Sequence, residues 1–151
     1  MKFGGTLLIV EDIEKSKEFY QDQLGLKVTM DLGEHVSFEN GLALQVGYEK
    51  IIGQHLKKIQ GAHNFQIYFE VDNICEWEQR MNEAESVVFL HSIREYPWGQ
   101  RSIRIYDVDK NILEIAESMD SVIKNCIAQG MIVEDIAKKT MYPIEYIETL
   151  L

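Results

Sequence analysis

Apolar and polar positions along the chain change period in a regular order. Residues 6–10 form a short run of leucine and β-branched side chains, the pattern of a buried strand. Asp12 stands where a helix N-cap belongs, and Ile13, Phe19, Tyr20 and Leu24 lie roughly on one helical face before Gly25. A helix is therefore predicted over 13–24. Strand-like segments follow at 26–32, 35–39 and 42–48, with turn signals at Gly33-Glu34 and Asn40-Gly41, the latter the strongest hairpin cue in the chain. Residues 49–61 carry Ile51, Ile52, Leu56 and Ile59 among lysines, which predicts a connecting helix. The order then repeats: a strand at 65–71, a helix started by Asp72 or Asn73 and running through Ile74, Trp77 and Met81, and strands at 87–93, 101–107 and 112–116.

The two halves superpose. At an offset of 61 residues Val10-Glu11-Asp12-Ile13 lies over Val71-Asp72-Asn73-Ile74, and at an offset of 69 Asn40-Gly41 falls on Asp109-Lys110 and Gln45 on Glu114. The second half carries extra residues near Glu95-Tyr96-Pro97-Trp98-Gly99. Self-similarity in all five elements points to a duplicated strand-helix-three-strand unit.

Strand side chains alternate faces, so parity sorts them. Phe65, Ile67, Phe69 and Val71 make one apolar face, with Gln66, Tyr68 and Glu70 opposite; Ile103 and Ile105 oppose Ser102, Arg104 and Tyr106. Leu113 and Ile115 point inward, and Glu114 shares the other side with Ile112 and Ala116. A polar sheet face is ordinary in a half-solvated sheet, which suffices for Tyr68 and Arg104 taken singly. Glu114 differs, because a carboxylate among apolar neighbours is costly unless paired, liganded or used.

Composition narrows the function. The formal charge of −10, from 15 basic and 25 acidic residues, disfavours nucleic acid as a partner. Cys75 and Cys126 stand alone, without a CxxC pair, and the apolar run near the start is too short for a membrane span and lacks a cleavage region. Reduced thiols, no membrane association and a cytoplasmic location are expected.

Two segments carry a family resemblance. Residues 8–26, LIVEDIEKSKEFYQDQLGL, resemble the opening strand and helix of the vicinal-oxygen-chelate superfamily, which groups glyoxalases, bleomycin-resistance proteins and ring-cleaving dioxygenases. Residues 97–115, PWGQRSIRIYDVDKNILEI, resemble its closing hairpin. The resemblance spans about residues 3–118. It implies an α+β fold of paired βαβββ modules, about 1–48 and 63–118 with a linker at 49–62, whose eight strands curl as a mixed sheet around a cavity. It also implies a homodimer. The family's metal positions would fall on Gly5, Gln45, Gln66 and Glu114, of which only Glu114 matches the usual ligand. Two amides and one carboxylate make a poor site for a divalent transition metal, so no cofactor is expected; were a metal held, Gln45, Gln66 and Glu114 would hold it. His35, at the 69-residue offset from Arg104, would join a shared cavity, and His63 is a second candidate; His55 and His91 read as ordinary structural histidines.

Beyond residue 118 the spacing becomes helical. Three short helices with turns at Gly130 and Pro143 form a helix-turn-helix-like appendage over 119–151, but its last segment carries Glu145 and Glu148 and no basic residue to meet phosphates. A packing or dimer-contact role is expected.

The favoured function is metal-independent binding of a small polar or aromatic molecule. Gln45, Gln66, Tyr68, Arg104, Tyr106, Glu114 and His35 would supply contacts, with Trp98 as a wall or lid. One alternative is a glyoxalase-like lyase or isomerase with Glu114 as metal ligand or base. Another is a non-catalytic interaction protein working through its helical tail.

Overall fold

The computed structural model describes residues 1–151 and divides them into two units, one of residues 1–65 with 106–112, the other of residues 66–105 with 113–151. In the first, β1 (Thr6–Ile9) runs parallel to β4 (Leu42–Gln45), which pairs antiparallel with β3 (His35–Phe38), and β3 with β2 (Val28–Asp31). The spatial order β1-β4-β3-β2 is that of a strand-helix-three-strand module. The Asn40-Gly41 hairpin forms as its sequence predicts: the Gly41 amide donates to the Phe38 carbonyl and the Leu42 amide to the Asn40 side chain.

Helix α1 (Ile13–Glu18) is capped by Asp12, whose carboxylate accepts from the Lys15 amide at 3.1 Å. That bond, with the adjacent Lys15 side chain, holds the Asp12 carboxyl below its ordinary pKa. The predicted helix continues to Gln23 as a π-helical turn, Phe19–Gln23. Phe19 and Tyr20 are both buried with Leu8, Val10, Val36, Phe38 and Leu44. Tyr20 keeps its hydroxyl satisfied by donating to Asp107 at 2.8 Å, and burial together with that carboxylate pushes its phenol well above the usual value.

Helix α2 is shorter than its sequence predicts. It spans only Tyr48–Ile52 and ends at Gly53, beyond which Glu49 accepts from the Leu56 amide and leaves residues 55–59 outside any helix.

In the second unit, β5 (Gln66–Val71), β8 (Ile112–Glu117), β7 (Arg101–Tyr106) and β6 (Val88–Glu95) neighbour one another in that order, repeating the first sheet's plan. The eight expected strands form two four-stranded mixed sheets. Helix α3 (Ile74–Glu83), capped by Asn73, buries Ile74 and Met81. Ile103, Ile105, Leu113 and Ile115 are buried as well, and each such side chain contributes about 1.5–3 kcal/mol of burial energy. On β5 the polar-parity residues Gln66, Tyr68 and Glu70 are exposed and Ile67, Phe69 and Val71 half-buried, as alternation predicts, whereas on β7 and β8 the polar-parity residues Ser102, Glu114 and Ala116 are buried as well.

The C-terminal segment forms α4 (Met119–Ala128), α5 (Val133–Thr140) and α6 (Ile144–Glu148), grouped with the second sheet. It has a core of its own in Ile123, Cys126, Ile136 and Ile147. No helix of the chain is long and apolar enough to cross a membrane.

Candidate functional site

The polar face of the second sheet carries a hydrogen-bonded line across all four strands. Gln66 on β5 donates to Glu114 on β8 at 2.5 Å, Glu114 is ion-paired to Arg104 on β7 at 2.7 Å, and Arg104 donates to His91 Nε2 on β6 at 3.1 Å. The Gln66 carbonyl also accepts from Arg104 Nε at 3.1 Å, so amide, carboxylate and guanidinium close a ring of three. His91 Nδ1 faces the Ser92 carbonyl at 2.8 Å and therefore carries the ring hydrogen, leaving Nε2 to accept. Glu114 is only 7% exposed, and its charge is met on both oxygens.

The turn between β6 and β7 adds an aromatic wall. Tyr96 and Trp98 stack with ring centroids 4.8 Å apart and planes 12° from parallel. The Tyr96 hydroxyl accepts from Arg104, whose guanidinium lies 5.5 Å from the Tyr96 ring centroid. Trp98 Nε1 donates to Gln100 Oε1 at 3.0 Å, and Gln100 Nε2 donates to the Tyr68 hydroxyl at 3.1 Å and to the Glu117 carbonyl at 2.8 Å. Tyr68 in turn donates to Glu70 at 3.0 Å; partial burial and that acceptor push its phenol up to about 12. Ser102, with the parity of Arg104, is fully buried with its hydroxyl unpartnered.

Of the residues singled out from sequence, Gln66, Tyr68, Arg104, Glu114 and Trp98 thus belong to one network. Gln45 and His35 lie in the first unit, where they are cross-strand partners: His35 Nδ1 meets Gln45 Oε1 at 2.9 Å and His35 Nε2 meets Ser37 Oγ at 2.8 Å. This pair is the first sheet's counterpart of Arg104 and Glu114. Tyr106 is also in the first unit, stacked on His63 at 5.4 Å with Lys110 6.0 Å from its ring. Sequence reasoning missed His91, Tyr96 and Gln100. The extra residues at 95–99 were a pointer to the turn, and nothing in the local pattern pointed to His91.

A second carboxylate on β8, Glu117, is 2% exposed and clamped by Arg101, with Nη2 at 2.5 Å and Nε at 3.0 Å. That clamp holds the guanidinium more firmly protonated than usual. Its parity is opposite to that of Glu114. In the first unit, buried Asp107 accepts from Tyr20, Asp109 and Asn111, while burial beside Asp107 raises the pKa of Asp109. These groups serve turn and core structure.

At the metal positions implied by the family resemblance, the side chains present are engaged with protein partners. Gly5 has no side chain, and a Cβ built there would lie 2.3 Å from the Gly41 carbonyl oxygen, so nothing larger sits in this backbone without a shift. The Gln45 oxygen is engaged by His35, and the Glu114 carboxylate by a guanidinium whose charge opposes a cation beside it. No group of three or more His, Cys, Asp or Glu side chains is placed to hold a metal.

Residues 3–120 match the family described as Glyoxalase-like domain. The protein YraH of Bacillus subtilis, described as uncharacterized, is 27% identical over 124 residues, 76% of this chain and 97% of its own length. A crystal structure of a protein of unknown function from Agrobacterium tumefaciens is 36% identical with a TM-score of 0.71, covering 78% of this chain and 94% of that one. A lactoylglutathione lyase from Agrobacterium tumefaciens is 27% identical with a TM-score of 0.60, covering 78% and 93%.

Proposed function

The chain belongs to the glyoxalase-like domain family of the vicinal-oxygen-chelate superfamily, and from that premise we propose that the polar face of its second sheet binds a small polar or aromatic molecule without a conventional metal ion. The observation that carries this reading is the neutralised Glu114. Where the family pattern would have a carboxylate facing a cation, this chain has one held by Arg104 and Gln66. Beside it stand the flat Tyr96–Trp98 pair, suited to stacking against a planar ring, and the polar groups of Tyr68, Gln66 and Gln100, suited to orienting its substituents. On this reading the site recognises shape and hydrogen-bonding pattern rather than a metal-chelating pair of oxygens.

The test uses Trp98 itself. The chain has two tryptophans, so Trp77→Phe leaves Trp98 as the only indole. Titrating that variant with 4-hydroxybenzoate, nicotinamide and 4-nitrobenzoate should give saturable quenching for at least one, with affinity about fivefold weaker in Tyr68→Phe from the loss of one hydrogen bond. Absence of saturable quenching and of any thermal shift at millimolar concentration across the set counts against binding at this face.

The likeness to a lactoylglutathione lyase at 27% identity favours a second reading, a glyoxalase-like lyase in which Glu114 moves a proton. It requires Arg104 to release the carboxylate. An assay for lactoylglutathione formation, lost in Glu114→Gln, separates the two.

A further inference from the structure

The helices beyond residue 120 lie outside the matched family domain, yet they reach the aromatic turn of the site. At Gly99, φ is +87° and there is no Cβ; a Cβ built there would lie 2.8 Å from Lys139 Cε on α5 and 3.3 Å from Val122 Cγ1 on α4. Two side chains from two extension helices are therefore seated against one glycine of the β6–β7 turn. Lys139 Nζ also lies 3.8 Å from Glu95, at the base of the same turn.

We infer that the C-terminal extension positions the Tyr96–Gln100 turn, with the Lys139 stem and Val122 as its positioning residues. The extension suits this part because it has a core of its own. Ile123, Cys126, Ile136 and Ile147 form its core, and Ser118 caps α4 through the Ser121 amide. It is also tied to the end of β5: the Ser118 amide donates to the Val71 carbonyl at 3.1 Å and Ser121 Oγ to Asp72 at 3.2 Å.

From Gly99 the restraint passes through short bonds. The Gly99 amide donates to the Tyr96 carbonyl at 2.8 Å and the Tyr96 amide to the Gln100 carbonyl at 2.9 Å, so the turn moves as one piece. It carries Tyr96 against Arg104, Trp98 against Tyr96, and Gln100 against Tyr68. Holding Gly99 thus holds the aromatic wall and, through Tyr96, the guanidinium paired with Glu114. The link to ligand binding rests on the function proposed above; the positioning itself does not.

The experiment is acrylamide quenching of Trp98 in the full-length Trp77→Phe protein without ligand, with circular dichroism and thermal melting to verify folding. Lys139→Ala should raise the quenching constant about twofold by freeing the turn to open locally. Lys139→Met, which keeps the stem and removes the charge, should leave it near the starting value. Val122→Ala should act in the same direction as Lys139→Ala, which covers the case of one variant folding poorly. Unchanged quenching in folded Lys139→Ala and Val122→Ala overturns the inference, and so does Lys139→Met behaving like Lys139→Ala, because the pair with Glu95 would then be responsible. Loss of ligand quenching with these results intact would instead count against the proposed function alone.

Discussion

Arg104→Met removes one half of the pair that neutralises Glu114, and its cost follows from the geometry. The guanidinium and carboxylate meet at 2.7 Å with side-chain exposures of 21% and 9%. Two charges about 4 Å apart at an effective dielectric near 20 attract by roughly 4 kcal/mol. Breaking a buried pair costs about 3–5 kcal/mol, because the survivor keeps its desolvation penalty. Two features lower the figure here: Arg104 is partly hydrated, and Gln66 still donates to Glu114. We expect Arg104→Met to lose about 2–3 kcal/mol, equivalent to roughly 4–12 °C in Tm for a chain of this size. Urea unfolding followed by circular dichroism measures it. The double variant Arg104→Met/Glu114→Gln should regain at least half of the loss, since a neutral amide no longer needs the cation. A single-variant loss below about 0.5 kcal/mol would refute the reasoning, showing that Glu114 is hydrated or otherwise paired.

Three further outcomes follow. Gly5→His, which would restore an imidazole at the family's first metal position, should destabilise the fold by about 1–3 kcal/mol because the φ of +147° and the Gly41 carbonyl leave no place for a Cβ; unchanged urea stability would contradict this. Ser118→Ala removes the N-cap of α4 and should cost about 1 kcal/mol, read by the same unfolding assay. In ultraviolet titration Tyr68 should ionise near 12, and Glu70→Gln should lower that value. Because the folded pKa is raised, its contribution to stability is complete below the ordinary value of 10.0 and is lost as pH rises toward 12.

The strand plan was legible because apolar alternation is local. Ile67 and Phe69 against Gln66, Tyr68 and Glu70, and the Asn40-Gly41 turn, declare themselves within a few residues. Glu114 stood out for the same reason, as an acid on a strand of apolar neighbours. Its partners were less legible. Parity places Arg104 and Tyr106 on one face, but Tyr106, the last residue of β7, stacks on His63 instead. His91, Tyr96 and Gln100 enter through the long reach of Arg104 and the shape of one turn, neither of which has a local signature. The expected helix past Gly53 failed because lysine-isoleucine spacing does not register the left-handed glycine that ends it. The appendage was legible as helices, but not its contact with Gly99, which depends on tertiary packing of residues 23 and 40 positions downstream.

The most direct test of the central claim is a calorimetric titration of nickel, zinc, manganese and iron(II) into chelator-treated protein, compared with Glu114→Ala. The expected result is no one-to-one binding that depends on Glu114, whose carboxylate stays paired with Arg104. Stoichiometric binding of any of the four, abolished by Glu114→Ala in a folded protein, would contradict the proposal and make a metal-dependent glyoxalase-like reaction the better reading.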